Sequence, residues 1–197
     1  MKVRIYVEGG GYGRIAVPEC REGFRRLLER AGFTGRMPAV MPCGPRSAAF
    51  DDFSTALRRP EPNVYPILLV DSESPVNKKP WEHLKAQDGW DRPNGVEDEQ
   101  AQLMVQCMET WIVADPEAVR RFFGHDLQAN ALPPTFDLEK QSKDDVQEKL
   151  EHATRNCDQQ YRKGKQSFDL LAKLHPAELK RLLPHFRLFC RVLHEKL

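Results

Sequence analysis

Long apolar runs are missing from this sequence. No stretch approaches the roughly 20 residues a helix needs to cross a bilayer. The opening MKVRIYVEGGG is too short and too charged in its apolar part to be a signal peptide. A soluble protein, most simply cytoplasmic and with no membrane partner, is the expectation. Charge of one sign is missing too, since 30 Lys and Arg stand against 29 Asp and Glu. No overall field recruits a polyanion, so any nucleic acid must be held by a local basic patch or through metal ions. The five cysteines, Cys20, Cys43, Cys107, Cys157 and Cys190, are odd in number and show no C-x-x-C spacing. They indicate neither a zinc site nor a disulfide framework. No two histidines stand in H-x-x-x-H spacing, which argues against a zinc hydrolase. There is no internal repeat and no low-complexity tract. What remains is a chain of 197 residues, a length that suits one domain with a real core.

The most informative stretch is Tyr65-Pro66-Ile67-Leu68-Leu69-Val70-Asp71-Ser72-Glu73. A short, continuous, β-branched apolar run reads as a strand buried on both faces, as in a parallel sheet, and Pro75 stops it. Val3 to Val7 is a first strand ending at Glu8 and running into Gly9, Gly10, Gly11 and Gly13. Pro18 opens and Gly32 closes an amphipathic helix with Cys20, Phe24, Leu27, Leu28 and Ala31 on one face. Met37–Met41 reads as a strand and Ser47–Leu57 as a helix. The alternation predicts an α/β fold with right-handed crossovers and a mostly parallel four-stranded sheet flanked by helices. The segment 74–95 reads as a decorated loop with a short helix near Trp81–Ala86. Gln102–Met108 reads as the fourth strand with Glu109 at its end, and Asp115 caps a helix that starts at Pro116. After a polar linker at 129–143 the pattern is helical to the end. The expected division is an α/β core at 1–128 and a helical extension at 129–197 packed on it.

Glu8, Asp71, Glu73 and Glu109 all fall at strand ends, where open α/β sheets collect their chemistry. If the first and third strands are neighbours, the four carboxylates share one rim. Clustered carboxylates repel unless a hard cation sits among them, and Mg²⁺ or Mn²⁺ takes such oxygen ligands. Any one of these acids is also explained by loops being solvated. The glycines could cradle a phosphate or simply pack tightly beside Glu8; they match neither the G-x-G-x-x-G nor the P-loop pattern. Arg46, at a helix start, suits a phosphate or an ordinary surface. The basic turn Tyr161-Arg162-Lys163-Gly164-Lys165 reads as solvated, or as a source of lysine for charge developing in phosphoryl transfer.

Glu8 after the first strand and Asp71-x-Glu73 after the third resemble the Toprim pattern of topoisomerases, primases and overcoming-lysogenization-defect nucleases. The blocks VEGGG, LLVDSE, LMVQCMETWIVADPE and YRKGKQSFDLLAKL, in this order, resemble a Toprim-like bacterial family, a domain of unknown function about the length of this chain. The resemblance implies a Toprim-like Rossmannoid fold, Glu8 as general base or metal ligand, and Asp71 and Glu73 as metal ligands. Toprim sites usually present Asp-x-Asp, so Glu73 is a departure that moves the metal or calls for a water between. By analogy Glu109 and Lys163 or Lys165 complete a two-metal site. Such a protein would cleave DNA or RNA with Mg²⁺ or Mn²⁺ as the effector of a bacterial anti-phage defence system, partnered by a co-encoded ATPase, with homo-oligomerisation left open. The alternative is a non-catalytic Toprim-like module that binds nucleotide or a partner protein.

Overall fold

The computed structural model describes residues 1–10 and 16–197; Gly11 and Gly13 of the glycine-rich turn lie outside them. Four strands, β1 (Lys2–Val7), β2 (Ala39–Pro42), β3 (Val64–Asp71) and β4 (Ala101–Met104), form one sheet in the order β2-β1-β3-β4. Every neighbouring pair is parallel, as the βαβ reading of the sequence requires. The helices are α1 (Val17–Leu28), α2 (Arg46–Arg58), α3 (Pro80–Asp88), α4 (Met108–Val113) and α5 (Pro116–Phe123). They are followed by α6 (Lys143–Ala153), α7 (Lys165–Leu171), α8 (Pro176–Leu182) and α9 (Pro184–Lys196). Among the described residues no helix is long and apolar enough to cross a membrane.

Period-2 alternation sends the two faces of the central strands into two apolar cores. Val3, Ile5, Val7, Ile67 and Leu69 face one core together with α1, α4, α7 and α9, while Tyr6, Leu68 and Val70 face the other with Phe53 of α2 and Trp81 and Leu84 of α3. The helices from α6 onward supply Leu150, Leu171, Phe186 and Phe189 to the first core. Asp71 keeps step with Ile67 and Leu69, so its side chain points toward α4 and α7, and it is buried.

The chain leaves β1 for α1 on one face and leaves β3 for α3 on the other. Adjacent strands whose connections diverge in this way open a crevice beyond their carboxyl ends. Glu8 and Asp71 stand at the two lips of that crevice.

The fourth strand is shorter than the sequence suggests. Ladder pairing ends at Met104 opposite Asp71, and Glu109 lies in the first turn of α4 rather than at a strand end. β3 itself ends at Asp71, and Glu73, two residues on, has a φ of 64°. Past the paired residues the Met104 and Gln106 carbonyls accept from the Ser72 and Glu73 N–H groups, and Met108 N–H, at the head of α4, donates to Asp71 Oδ1 at 2.9 Å.

Candidate metal centre

β1 and β3 run in register with Val7 opposite Leu69, so the residues after each strand meet across the crevice. Asp71 N–H donates to Glu8 Oε2 at 3.2 Å. One oxygen from each of Glu8, Asp71 and Glu73 lies within 4.8 Å of the others. The three line a cleft of about 730 Å³ together with Gly9, Gly10, Arg46 and Lys163. Burial pushes the Asp71 carboxyl well above its ordinary value, and the Glu8 charge adds to the effect. Burial also raises the Glu8 carboxyl, against the pull of Arg46 and of the Asp71 N–H.

Arg46, the first residue of α2, is engaged on all sides. Its Nε and Nη2 donate to the Asp88 carboxylate at 2.8 and 2.7 Å, Nη1 approaches Glu8 Oε2 at 3.5 Å, and Nη1 also donates to the Asp71 carbonyl. The guanidinium lies 5.1 Å from the centroid of Trp90, whose ring stacks on Phe50 at 4.4 Å. Burial works against its charge, but the hydrogen bonds and charge of Asp88, together with the charges of Glu8 and Glu73, outweigh burial and hold its pKa above the ordinary value. A side chain so committed fixes Glu8 and the end of β3.

Glu109 is fully buried, and both oxygens are taken, by Tyr161 Oη at 2.9 Å and by Gln147 Nε2 at 3.1 Å. It stands outside the three-carboxylate group. Lys163 Nζ reaches between it and the cleft, 3.8 Å from Glu109 Oε2 and 3.9 Å from Asp71 Oδ2. Burial works against the Lys163 charge, and Glu109 and Asp71 outweigh it, so the ammonium is held above its ordinary value. The same turn is closed from below, where Ser167 Oγ lies 2.8 Å from Tyr161 Oη and accepts from Gly164 N–H at 3.1 Å. Lys165, the next lysine, is exposed, does not line the cleft, and makes no side-chain ion pair among the described residues.

Glu73 is held by Lys143 at the start of α6, whose Nζ donates to both carboxylate oxygens at 2.8 and 2.6 Å. Sequence reasoning did not single out Lys143, Asp88, Trp90 or Tyr161. Gly9 makes the close approach at the cleft floor, where a Cβ would meet Cys20 Sγ and the Phe168 ring at 3.1 Å, and its N–H donates to the Gly44 carbonyl at 2.9 Å.

The donor set suits a hard divalent cation. Such ions bind oxygen at about 2.0–2.6 Å, so ligands on opposite sides of one ion stand roughly 4–5 Å apart. Charge agrees. Among the described residues the carboxylates of Glu8, Asp71, Glu73, Asp88 and Glu109 face the cations of Arg46, Lys143 and Lys163. Five against three leaves two formal negative charges. Fold and site together define a Rossmann-like α/β protein with a carboxylate-lined cleft between its two central strands.

The chain belongs to the family described as Domain of unknown function (DUF4276), whose model matches residues 11–194. No curated protein and no solved structure matches it.

Proposed function

We propose that this chain is a Toprim-like, divalent-metal-dependent nuclease, hydrolysing phosphodiester bonds of DNA or RNA as the effector of a bacterial defence system with a co-encoded ATPase. The observation that carries the proposal is the convergence of Glu8, Asp71 and Glu73 within 4.8 Å in one cleft. Mg²⁺ or Mn²⁺ held by these three would supply Lewis acidity and charge neutralisation at the phosphate.

The chain's own groups take the remaining roles. Glu8, which lines the cleft, would accept a proton from an attacking water. Lys163 lines the cleft beside Asp71 and offers its charge to the phosphate oxygens. Gly9 and Gly10 keep side chains out of the floor. Arg46 is placed to orient Glu8, and Glu109 to hold Lys163. The ion therefore has three carboxylate ligands in this proposal, with Glu109 excluded by its sealed position.

The test is a cleavage assay on single- and double-stranded DNA and on RNA, with and without Mn²⁺, for wild type and Asp71→Asn, alone and with the co-encoded ATPase. Mn²⁺-dependent cleavage by wild type, reduced about 10³-fold or more in the variant, is expected, because several kcal/mol of charge stabilisation are removed. Equal activity in both proteins contradicts the assignment. The Lys143 clasp on Glu73 favours a second reading, a non-catalytic nucleotide- or partner-binding module in which an ammonium replaces the ion. Nucleotide binding unaffected by Mn²⁺, with no cleavage in either protein when the ATPase is present, would select it.

A further inference from the structure

We propose that Lys143 is an internal competitor for the metal centre: its ammonium occupies Glu73 in the metal-free protein and is displaced when a divalent cation binds. The inference rests on the metal-centre reading above and adds a residue that controls it.

Two local costs meet in this one ion pair. Lys143 is the first residue of α6, where the helix dipole disfavours a cation. The two acids that belong there, Asp144 and Asp145, follow it, and Ser142 caps the helix by accepting from Asp145 N–H at 3.1 Å. The lysine therefore does nothing for its own helix. Glu73, 70 residues away in sequence, has a φ of 64°, a left-handed conformation that a glutamate adopts at a cost. Its N–H, donated to the Gln106 carbonyl at 2.9 Å, helps hold that conformation. The result aims the Glu73 carboxylate at Glu8 and Asp71 on one side and at Lys143 on the other.

The competition follows from the geometry. Lys143 engages both Glu73 oxygens at 2.6 and 2.8 Å, including whichever one faces Glu8 and Asp71. Lys163 is different in kind, because it stands 3.8–3.9 Å from its acids, too far for a direct hydrogen bond. Arg46 touches Glu8 only at 3.5 Å. Of the three cations, Lys143 alone grips a carboxylate that the ion needs. The pair is only partly buried, with about a quarter of each side chain exposed, so the ammonium can leave toward solvent without stranding a charge in the core.

The experiment is Mn²⁺ binding by calorimetry on wild type, Lys143→Met, Lys143→Arg and Asp71→Asn. Lys143→Met should bind Mn²⁺ roughly two- to fivefold more tightly than wild type, the gain from removing one partly exposed ion pair, and should melt lower in EDTA. Lys143→Arg should restore both values toward wild type. A purely structural lysine would lower melting without tightening the metal. Equal or weaker Mn²⁺ binding by Lys143→Met, with binding lost in Asp71→Asn, overturns the competition and leaves the metal centre standing. No Mn²⁺ binding by any of the four proteins overturns both. A second measurement needs no variant to fold: acylation of Lys143 in wild type, read by mass spectrometry, should increase when Mn²⁺ is added, and an unchanged rate overturns the proposal.

Discussion

Asp71 serves two requirements that pull against each other. As the last residue of β3 it is buried, and in the role proposed for it as a ligand it must carry charge. Burial and the neighbouring Glu8 raise its pKa in the metal-free protein. A carboxyl whose folded value lies above its unfolded one holds its proton more tightly in the folded chain. Its stabilising contribution is complete below the ordinary carboxylate range, near pH 4, and is lost as pH rises through the folded value. Urea unfolding in EDTA across a pH series should therefore show the wild type losing stability relative to Asp71→Asn as pH rises from about 4; parallel profiles would contradict the raised value. Tyr161 makes a separate case. Its hydroxyl donates to buried Glu109 and meets Ser167. Tyr161→Phe leaves Glu109 Oε1 without that donor and should destabilise by about 1–3 kcal/mol, measured by chemical denaturation. A change near zero would mean that water replaces the phenol.

Charges at the ends of helices explain what the sequence revealed and what it hid. β1 and β3 were legible because their apolar runs end in acids, and α1 and α5 because Pro, Gly and Asp mark their ends. β4 was misread because Val105, Cys107 and Met108 are as apolar as a strand, whereas the ladder ends at Met104 and α4 begins at Met108. Lys143 and Arg46 each begin a helix, and Asp88 ends one, all with the sign the dipole disfavours. That reversal was visible in principle, but the partners lie 42 and 70 residues away, beyond any local pattern. Gly23 shows the same dependence on distant contacts. Inside a helix it costs about 1 kcal/mol relative to alanine, yet a Cβ there would stand 2.7 Å from the Phe168 carbonyl. α7 can dock on α1 only because the side chain is missing. Gly23→Ala should destabilise by about 1–3 kcal/mol despite its better helix propensity, checked by thermal unfolding, and a stabilised variant would contradict the close approach.

The molecule as a whole is arranged so that divergent connections after β1 and β3 open a crevice, and helices far along the chain close it. Lys143 comes from a segment that the sequence marked only as a polar linker, Lys163 from a basic turn that was a candidate source of a site lysine, and tertiary packing brings both to the acids. A ligand that binds only the folded state stabilises it by about 2.7 kcal/mol at a hundredfold excess over Kd. For a chain of this length that is a rise in Tm of roughly 5–10 °C, which Mn²⁺ should produce in wild type and not in Asp71→Asn. The most direct measurement is an anomalous difference map, collected at the manganese edge, from crystals of the wild-type protein soaked in Mn²⁺. The account predicts one dominant peak between the carboxylates of Glu8, Asp71 and Glu73, with Lys143 moved off Glu73. A map with no peak there, and Lys143 still clasping Glu73, would contradict it.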